Sequence, residues 1–334
     1  MKLVVKSMTN SDGDHLWLED TSIDEYIDNS MCCGCGSEMK AISIIQNTTE
    51  QVGLVNGLCP QCGYIKKIRN LSVDTYTSHF SNKWLVRREE EVVGNKHVYD
   101  RLRPYISESG TVLDIGCGLG GSLLPFYNLD YDVYGVEPSK HRSEKAKAIM
   151  SNIETGTAED YLDSSERYFD VIYIYNVLQF VENPFKIIEM AAKRLKDDGV
   201  LYIRVGAFGH KSNYSQSSHQ GIIRNNLSLY ALKSLIGKLN LFPIFSKNEP
   251  FELILSRKKS SKSNQILSSA MKIDERTVKK YVKRTLKLNW LRVFGKVKLS
   301  YSGRRTELIF KRSEGKELPV IFEHNSLAIP IVLK

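Results

Sequence analysis

The chain has 334 residues, 42% of them apolar and 25% charged, with a formal net charge of +9. That is room for two domains, or one with appendages, and the composition is ordinary for a soluble globular protein. No run approaches the roughly 20 apolar residues that cross a bilayer. The opening residues, MKLVVKSMTNSDGDH, hold too short an apolar run for a signal peptide, so a cytoplasmic location is the default expectation.

Residues 1–30 are polar and acidic, with Trp17 and Tyr26 as candidate anchors. Then Cys32-Cys33-Gly34-Cys35-Gly36 and Cys59-Pro60-Gln61-Cys62-Gly63 form two C-x-x-C-G knuckles. Paired cysteines in a reducing compartment point to metal rather than disulfide. Cys32, Cys35, Cys59 and Cys62 offer four thiolates, a closed tetrahedral set for structural Zn2+ with no position left for catalysis. Cys33 is the spare thiol, because using it would shrink the first knuckle to C-x-C. Strand-like segments at 42–45 and 52–55 between the knuckles complete a zinc ribbon.

Trp84–Ile106 reads as a packing helix, with Leu85, Val92, Tyr99, Leu102 and Ile106 on one stripe and Pro104 marking its end. Next comes TVLDIGCGLGG, Thr111–Gly121. An apolar run enters a glycine-rich turn and then helical residues 122–127, which describes a buried parallel strand feeding a helix. Glycines there let backbone approach a ligand closely. Gly116, Gly118 and Gly121 satisfy G-x-G-x-x-G, and an acid, Glu137, follows about 20 residues on, as in dinucleotide sites. Asp114 argues otherwise. A carboxylate two residues before the first glycine would repel a passing pyrophosphate. It suits a cationic ligand, such as the amino group and sulfonium of S-adenosylmethionine (SAM).

From Asp114 onward the stretch resembles motif I, D-x-G-x-G-x-G, of class I SAM-dependent methyltransferases. The downstream pattern alternates strands (111–115, 132–136, 153–156, 169–175, 200–205) with helices (139–150, 184–195), as in a doubly wound parallel sheet. Ser139 is a candidate cap. Segments 241–246 and 251–256 read as a closing hairpin. The expected architecture is α/β: a Rossmann-like, seven-stranded methyltransferase sheet, preceded by the zinc ribbon and followed by an α+β extension. The boundaries fall at 1–82, 83–257 and 258–334.

The resemblance implies a cofactor site from Asp114, Gly116, Cys117, Gly118 and Gly120; from Glu137 and Pro138; from Thr157, Ala158 and Glu159; and from Asn176 and Val177. Glu137 stands where the family's acid holds the ribose hydroxyls. Thr157 stands where many members have an acid for the adenine amino group, so Glu159 or backbone atoms are alternatives, and either residue could instead cap a helix. Asn176–Pro184 resembles the family's segment N-V-L-E-H-x-x-D-P, but Gln179-Phe180 stands where Glu-His is common; if that His is a base in relatives, it is missing here. Phe180 could cover the adenine, line the pocket or fill the core. His219, ahead of a helix at 228–239, is the candidate catalytic base on the loop after strand five; an inert loop histidine is the competing reading, and more so for His210.

Beyond Arg257 lie a basic linker, a helix at 274–291 with a cationic stripe, a candidate hairpin at 296–300 and 307–311, and an apolar tail at 318–333 expected to pack on the core or a partner. A ribbon in front of a SAM core resembles methyltransferases of sugar, cell-surface glycan and secondary-metabolite pathways. That implies a small-molecule or glycan acceptor, with a phosphate-bearing substrate compatible with the pI of about 9.1. An RNA methyltransferase gripping nucleic acid with ribbon and basic extension is an alternative, though no RNA-binding module is recognisable. A scaffold with a non-catalytic SAM site is another, and intact Asp114, glycines and Glu137 argue against it.

Overall fold

A computed structural model describes residues 8–9, 15–16, 30–47, 52–69, 94–206, 223–248, 250–278, 320–324 and 327–331. In chain order the strands and helices begin with β1 (Met8–Thr9), β2 (His15–Leu16), β3 (Lys40–Asn47), β4 (Val52–Leu58) and β5 (Ile65–Arg69). There follow α1 (His97–Leu102), β6 (Thr111–Ile115), α2 (Leu124–Tyr127), β7 (Asp132–Glu137), α3 (Lys140–Lys147) and β8 (Ile153–Thr155). Then come α4 (Ala158–Ser164), β9 (Phe169–Tyr175), α5 (Pro184–Lys193), β10 (Leu195–Val205), β11 (Asn225–Asn226) and α6 (Leu229–Lys238). The last are β12 (Phe242–Asn248), β13 (Phe251–Ser256), α7 (Ser263–Ser268), β14 (Val320–His324) and β15 (Leu327–Ile331).

The chain divides into two compact units, Met1–Ser72 with Gly206–Ala231 and Lys272–Lys334, and Val73–Val205 with Leu232–Met271. The second unit holds a seven-stranded sheet in the order β12-β13-β10-β9-β6-β7-β8. From β10 through β8 neighbouring strands are parallel, and β13 runs antiparallel to both β10 and β12. Parallel neighbours joined through helices need strands buried on both faces, which is why TVLDI and FDVIYIY are apolar almost throughout. Alternation by two sends Val112, Val133, Val171, Tyr173, Val200, Tyr202 and Ile254 to one face. There they pack with Val98 and Leu102 of α1, Phe126 of α2 and Ala146 of α3. Leu113, Ile115, Val136, Ile172, Ile174, Leu201 and Ile203, of the opposite parity, are buried as well.

The first unit holds a six-stranded sheet in the order β11-β5-β4-β3-β14-β15. The strands expected at 42–45 and 52–55 are β3 and β4, extended to 40–47 and 52–58. The apolar tail supplies β14, parallel to β3, and β15 beyond it. Four strands of this sheet escaped the sequence reading, among them β14 and β15, which read only as an apolar tail. β5, IKKIR, alternates too briefly to stand out, and β11 is a two-residue pairing that only the fold creates.

Several local expectations are corrected. Ser139 sits at the N-cap of α3, but its side chain makes no cap bond; its N–H donates to Glu137 Oε1 at 3.0 Å instead. Among the described residues, the helix expected over 84–106 is α-helical only at His97–Leu102; residues 94–96 are not helical, and the chain then passes into a 3-10 turn, Arg103–Tyr105. β10 starts at Leu195, with a register irregularity before Val200 that absorbs the expected Asp198-Gly199 turn. Helical backbone begins at 275 as expected, but residues after 278 lie outside the described residues, as do 84–93 and the hairpin at 296–311.

Candidate functional site

The glycine turn follows β6 at the carboxyl edge of the parallel sheet, where the ends of parallel strands leave a crevice. The N–H groups of Gly116 and Cys117 both donate to Val136 O, at 2.8 and 3.1 Å, tying the turn to β7. Gly116 and Gly118 have φ of 77° and 57°, in the left-handed region. They are glycine for different reasons. A Cβ on Gly116 would overlap Val177, whereas one on Gly118 would meet nothing within 4 Å. Gly116 is thus required by packing, and Gly118 opens onto free space of the kind a ligand could fill.

Asp114, at 3% exposure, lies below this turn. It is in register with Tyr173 on β9 and Gly135 on β7. Burial pushes its carboxyl well above the usual carboxylate range, and the charge of Glu137 adds to the shift, while the Tyr173 hydroxyl opposes it. That hydroxyl, itself fully buried, has no other partner. A buried acid whose ionised form is disfavoured suits a positively charged neighbour, because a cation beside it favours ionisation.

Glu137, at the end of β7, is 5% exposed. It accepts from Gly118 N–H and Ser139 N–H, both at 3.0 Å, with the Arg142 guanidinium 4.0 Å away. Two carboxylates therefore flank the glycine turn, one beneath it and one at its side. Pro138 follows directly. Cys117 is buried against Gly135 and its thiol is pushed up by burial, so it packs as an apolar group.

Thr157 caps α4, its hydroxyl accepting from Asp160 N–H at 3.1 Å, with Ala158 and Glu159 in the first turn. Asn176 closes β9 with φ of 60°, a strained conformation for a non-glycine residue. It is held by Arg204, whose carbonyl accepts Asn176 N–H and whose guanidinium donates to Asn176 Oδ1, both at 2.8 Å. Val177 presses on Gly116. Gln179 is buried and Phe180 half-buried. The carboxyl edge thus gathers Asp114, the glycines, Glu137, Asn176 and Val177 from three adjacent strands. His219 and His210 lie outside the described residues.

Sequence reading missed the residues that support these. Tyr173 is one more aromatic in an apolar strand. Arg204 is one cation in a run of five apolar residues (Val200–Val205), and Glu252 is one acid within FELILS. A lone charge inside a buried strand was the available signal.

In the other unit, the Sγ atoms of Cys32, Cys35, Cys59 and Cys62 all lie within 4.8 Å of one another. The Cys32–Cys62 and Cys35–Cys59 separations are 3.6 and 3.4 Å. A tetrahedral site with metal–sulfur bonds of about 2.3 Å has sulfurs about 3.8 Å apart, so the set fits a metal. The knuckles repeat one geometry: Gly36 N–H bonds Cys32 O at 2.8 Å and Gly63 N–H bonds Cys59 O at 2.9 Å, with both glycines at positive φ. Crowding makes the thiols share charge unequally; the Cys62 thiol lowers Cys32 to about 5 and is itself raised. Cys33 lies outside the cluster, 3.7 Å from the Tyr64 hydroxyl.

Residues 87–235 match the family model described as "Methyltransferase domain". The chain is 30% identical over 102 residues to a ubiquinone biosynthesis O-methyltransferase of Caulobacter vibrioides, covering 29% of this chain and 40% of the relative. It is 32% identical over 132 residues to an uncharacterised protein of Methanocaldococcus jannaschii, covering 40% of this chain and 60% of that one. The chain thus spans about half the length of these curated relatives. Among solved structures, a SAM dependent methyltransferase from Archaeoglobus fulgidus aligns at 17% identity with a TM-score of 0.41, over 52% of this chain and 96% of that one. Residues 87–235 are thus similar to a methyltransferase domain, and the motif at Asp114 and strands β6 to β10 fall within them.

Proposed function

We propose that this protein binds SAM at the carboxyl edge of the seven-stranded sheet and transfers its methyl group to a hydroxyl of a small molecule. The observation that carries the reading is the buried, neutral-leaning carboxyl of Asp114 beneath the open space at Gly118. Asp114, Gly116, Cys117, Gly118 and Gly120 would cradle the charged methionine end, and Glu137 with Pro138 the ribose. Thr157, Ala158 and Glu159 would border the adenine, and Asn176 and Val177 the sulfonium side. When bound, SAM brings an activated methyl group; the protein holds the acceptor in line and excludes competing orientations.

Oxygen is favoured as the accepting atom by the relatives that carry O-methyltransferase in their names. A sugar or sugar-bearing precursor, phosphate-bearing or not, is the finer proposal, and it rests on the ribbon placed ahead of a SAM core. We place this reaction in the cytoplasm, and divide the chain at 82/83 and 257/258 into ribbon, catalytic core and basic extension. The four-cysteine cluster would hold zinc structurally: four thiolates complete the tetrahedron and leave no site for substrate. The test is transfer of labelled methyl from SAM to a catechol, a hexose, a nucleoside diphosphate hexose and a short RNA. Methylation of a small hydroxyl compound is the expected result; methylation of RNA alone would replace this reading.

A further inference from the structure

The seven-stranded sheet carries a second polar constellation, joined to the residues of the cofactor reading through the contact of Arg204 with Asn176. It sits one row above Asp114 on the same face. Tyr175, Arg204, Glu252 and Lys247 are in register across β9, β10, β13 and β12. Since Asp114 pairs with Tyr173, two residues before Tyr175, this row lies at the level of the glycine turn.

Glu252 is 1% exposed. Its Oε2 accepts from the Tyr202 hydroxyl at 3.3 Å and faces Arg101 Nε at 2.8 Å. Its Oε1 has no hydrogen-bond partner; the nearest charged groups are Lys247 Nζ at 3.8 Å and His97 Nε2 at 4.0 Å. A buried carboxylate oxygen without a donor is costly, and a protonated imidazole beside it would repay that cost. His97 is 45% exposed, so the ring also reaches open space. Its position is fixed from two sides. Asn95 Oδ1 accepts His97 N–H at 3.0 Å, and Asn95 N–H donates to Gly121 O at 2.8 Å, which ties the start of α1 to the cofactor turn. The His97 ring meets the Tyr175 ring edge-on with centroids 6.0 Å apart, and the Arg204 guanidinium lies 4.6 Å above the same tyrosine.

We infer that His97 is the catalytic base for the methyl acceptor and Glu252 its positioning residue. The inference rests on the reading above, in which the acceptor is a hydroxyl. In the step, a lone pair of the acceptor oxygen forms the new O–CH3 bond, and the S–CH3 bonding pair returns to sulfur. The hydroxyl proton passes to His97, and the resulting imidazolium is held by Glu252 until it loses the proton to solvent. The ionisable and charged groups facing His97 or its carboxylate partner are Arg101 on α1, Tyr175 on β9, Tyr202 and Arg204 on β10, Lys247 on β12 and Glu252 on β13.

Two measurements test this. The first needs no acceptor: the His97 ring resonances are compared by NMR at one pH in the whole protein and in Glu252→Gln. Loss of the facing carboxylate moves the imidazole resonances; unchanged resonances overturn the pairing. The second uses 3,4-dihydroxybenzoate and methyl glucoside as acceptors. His97→Gln, at an exposed position, lowers kcat about 10²–10⁴-fold with SAM affinity unchanged, and free imidazole restores part of the activity of His97→Ala. Retained kcat in His97→Gln, or its loss in His219→Gln alone, overturns the assignment. If the unaltered protein methylates neither compound, the small-hydroxyl reading fails, and the NMR comparison alone decides the His97–Glu252 pair.

Discussion

The cysteine cluster and the glycine turn both depend on glycines in the left-handed region, yet they are assembled over different spans of chain. Each knuckle closes within five residues on its own backbone, Gly36 to Cys32 and Gly63 to Cys59. The proposed cofactor site needs β6, β7 and β9 in register before Asp114, Glu137 and Asn176 can meet. A local site is written in spacing, and its ligands share one chemistry. A site assembled across strands needs supporting residues, such as Tyr173 and Arg204, whose identity only the neighbouring strand explains. The costs differ too. The cysteines share their charge within the cluster, whereas Asp114 carries a desolvation penalty that the Tyr173 hydroxyl only partly offsets.

The contrast can be broken most strongly at the cysteines. Structural zinc contributes on the order of 10–16 kcal/mol to folding of small zinc domains. Elemental analysis of purified protein should find one zinc per chain, and Cys59→Ser should lose it, while Cys33→Ser, outside the cluster, should keep it. Zinc retained in Cys59→Ser would refute the ligand set.

Next in size is Asp114→Asn. Removing the counter-charge of a buried cation should cost about 3 kcal/mol, or roughly 100-fold in SAM affinity by calorimetry. Stability should move the other way. An acid whose folded pKa is raised contributes stability at low pH that is lost as pH rises from the unfolded value of 3.8 through its folded value. At pH 7 that penalty is present in the protein and absent in Asp114→Asn, so the variant should melt higher. The same sign governs binding. Below the raised pKa, SAM must displace the Asp114 proton, so affinity should increase with pH, and calorimetry in buffers of different ionisation enthalpy should detect proton release.

Smaller effects separate the two glycines. Gly116→Ala collides with the branched Val177 and should lose about 1–3 kcal/mol of stability. Gly118→Ala meets open space and should lose only the roughly 1 kcal/mol of a left-handed residue, with the greater loss in SAM binding. Equal stability losses with normal SAM binding in both would remove the distinction. Least of all, Asn183→Ala deletes the cap that accepts Lys186 N–H at 3.1 Å before Pro184, and should cost about 1 kcal/mol in thermal unfolding.

Much of the fold was legible because β6 and β9 are apolar runs whose limits fall at glycine or polar turns; both have the expected boundaries. The six-stranded sheet was half legible. Its knuckles announce themselves, but β11 and the β3–β14 pairing join segments far apart in sequence, and no local pattern encodes the partner. Asp114 was readable because a charge before a glycine turn conflicts with burial and so demands a reason. Glu252 poses the same conflict within an apolar strand, but without a glycine turn beside it nothing in the sequence said which face or neighbour it served. His97 carries no pattern at all; it becomes informative only through Asn95, Gly121 and the carboxylate that α1 brings it to.

The central claim is that Asp114 recognises the positive charge of SAM. Calorimetric titration of the full chain with SAM and with its demethylated product, alongside Asp114→Asn, addresses it most directly. Saturable binding of both by the unaltered protein, with affinity falling roughly 100-fold in the variant while its fold is retained, is the predicted result. No binding by the unaltered protein, or binding that survives in Asp114→Asn, would contradict it.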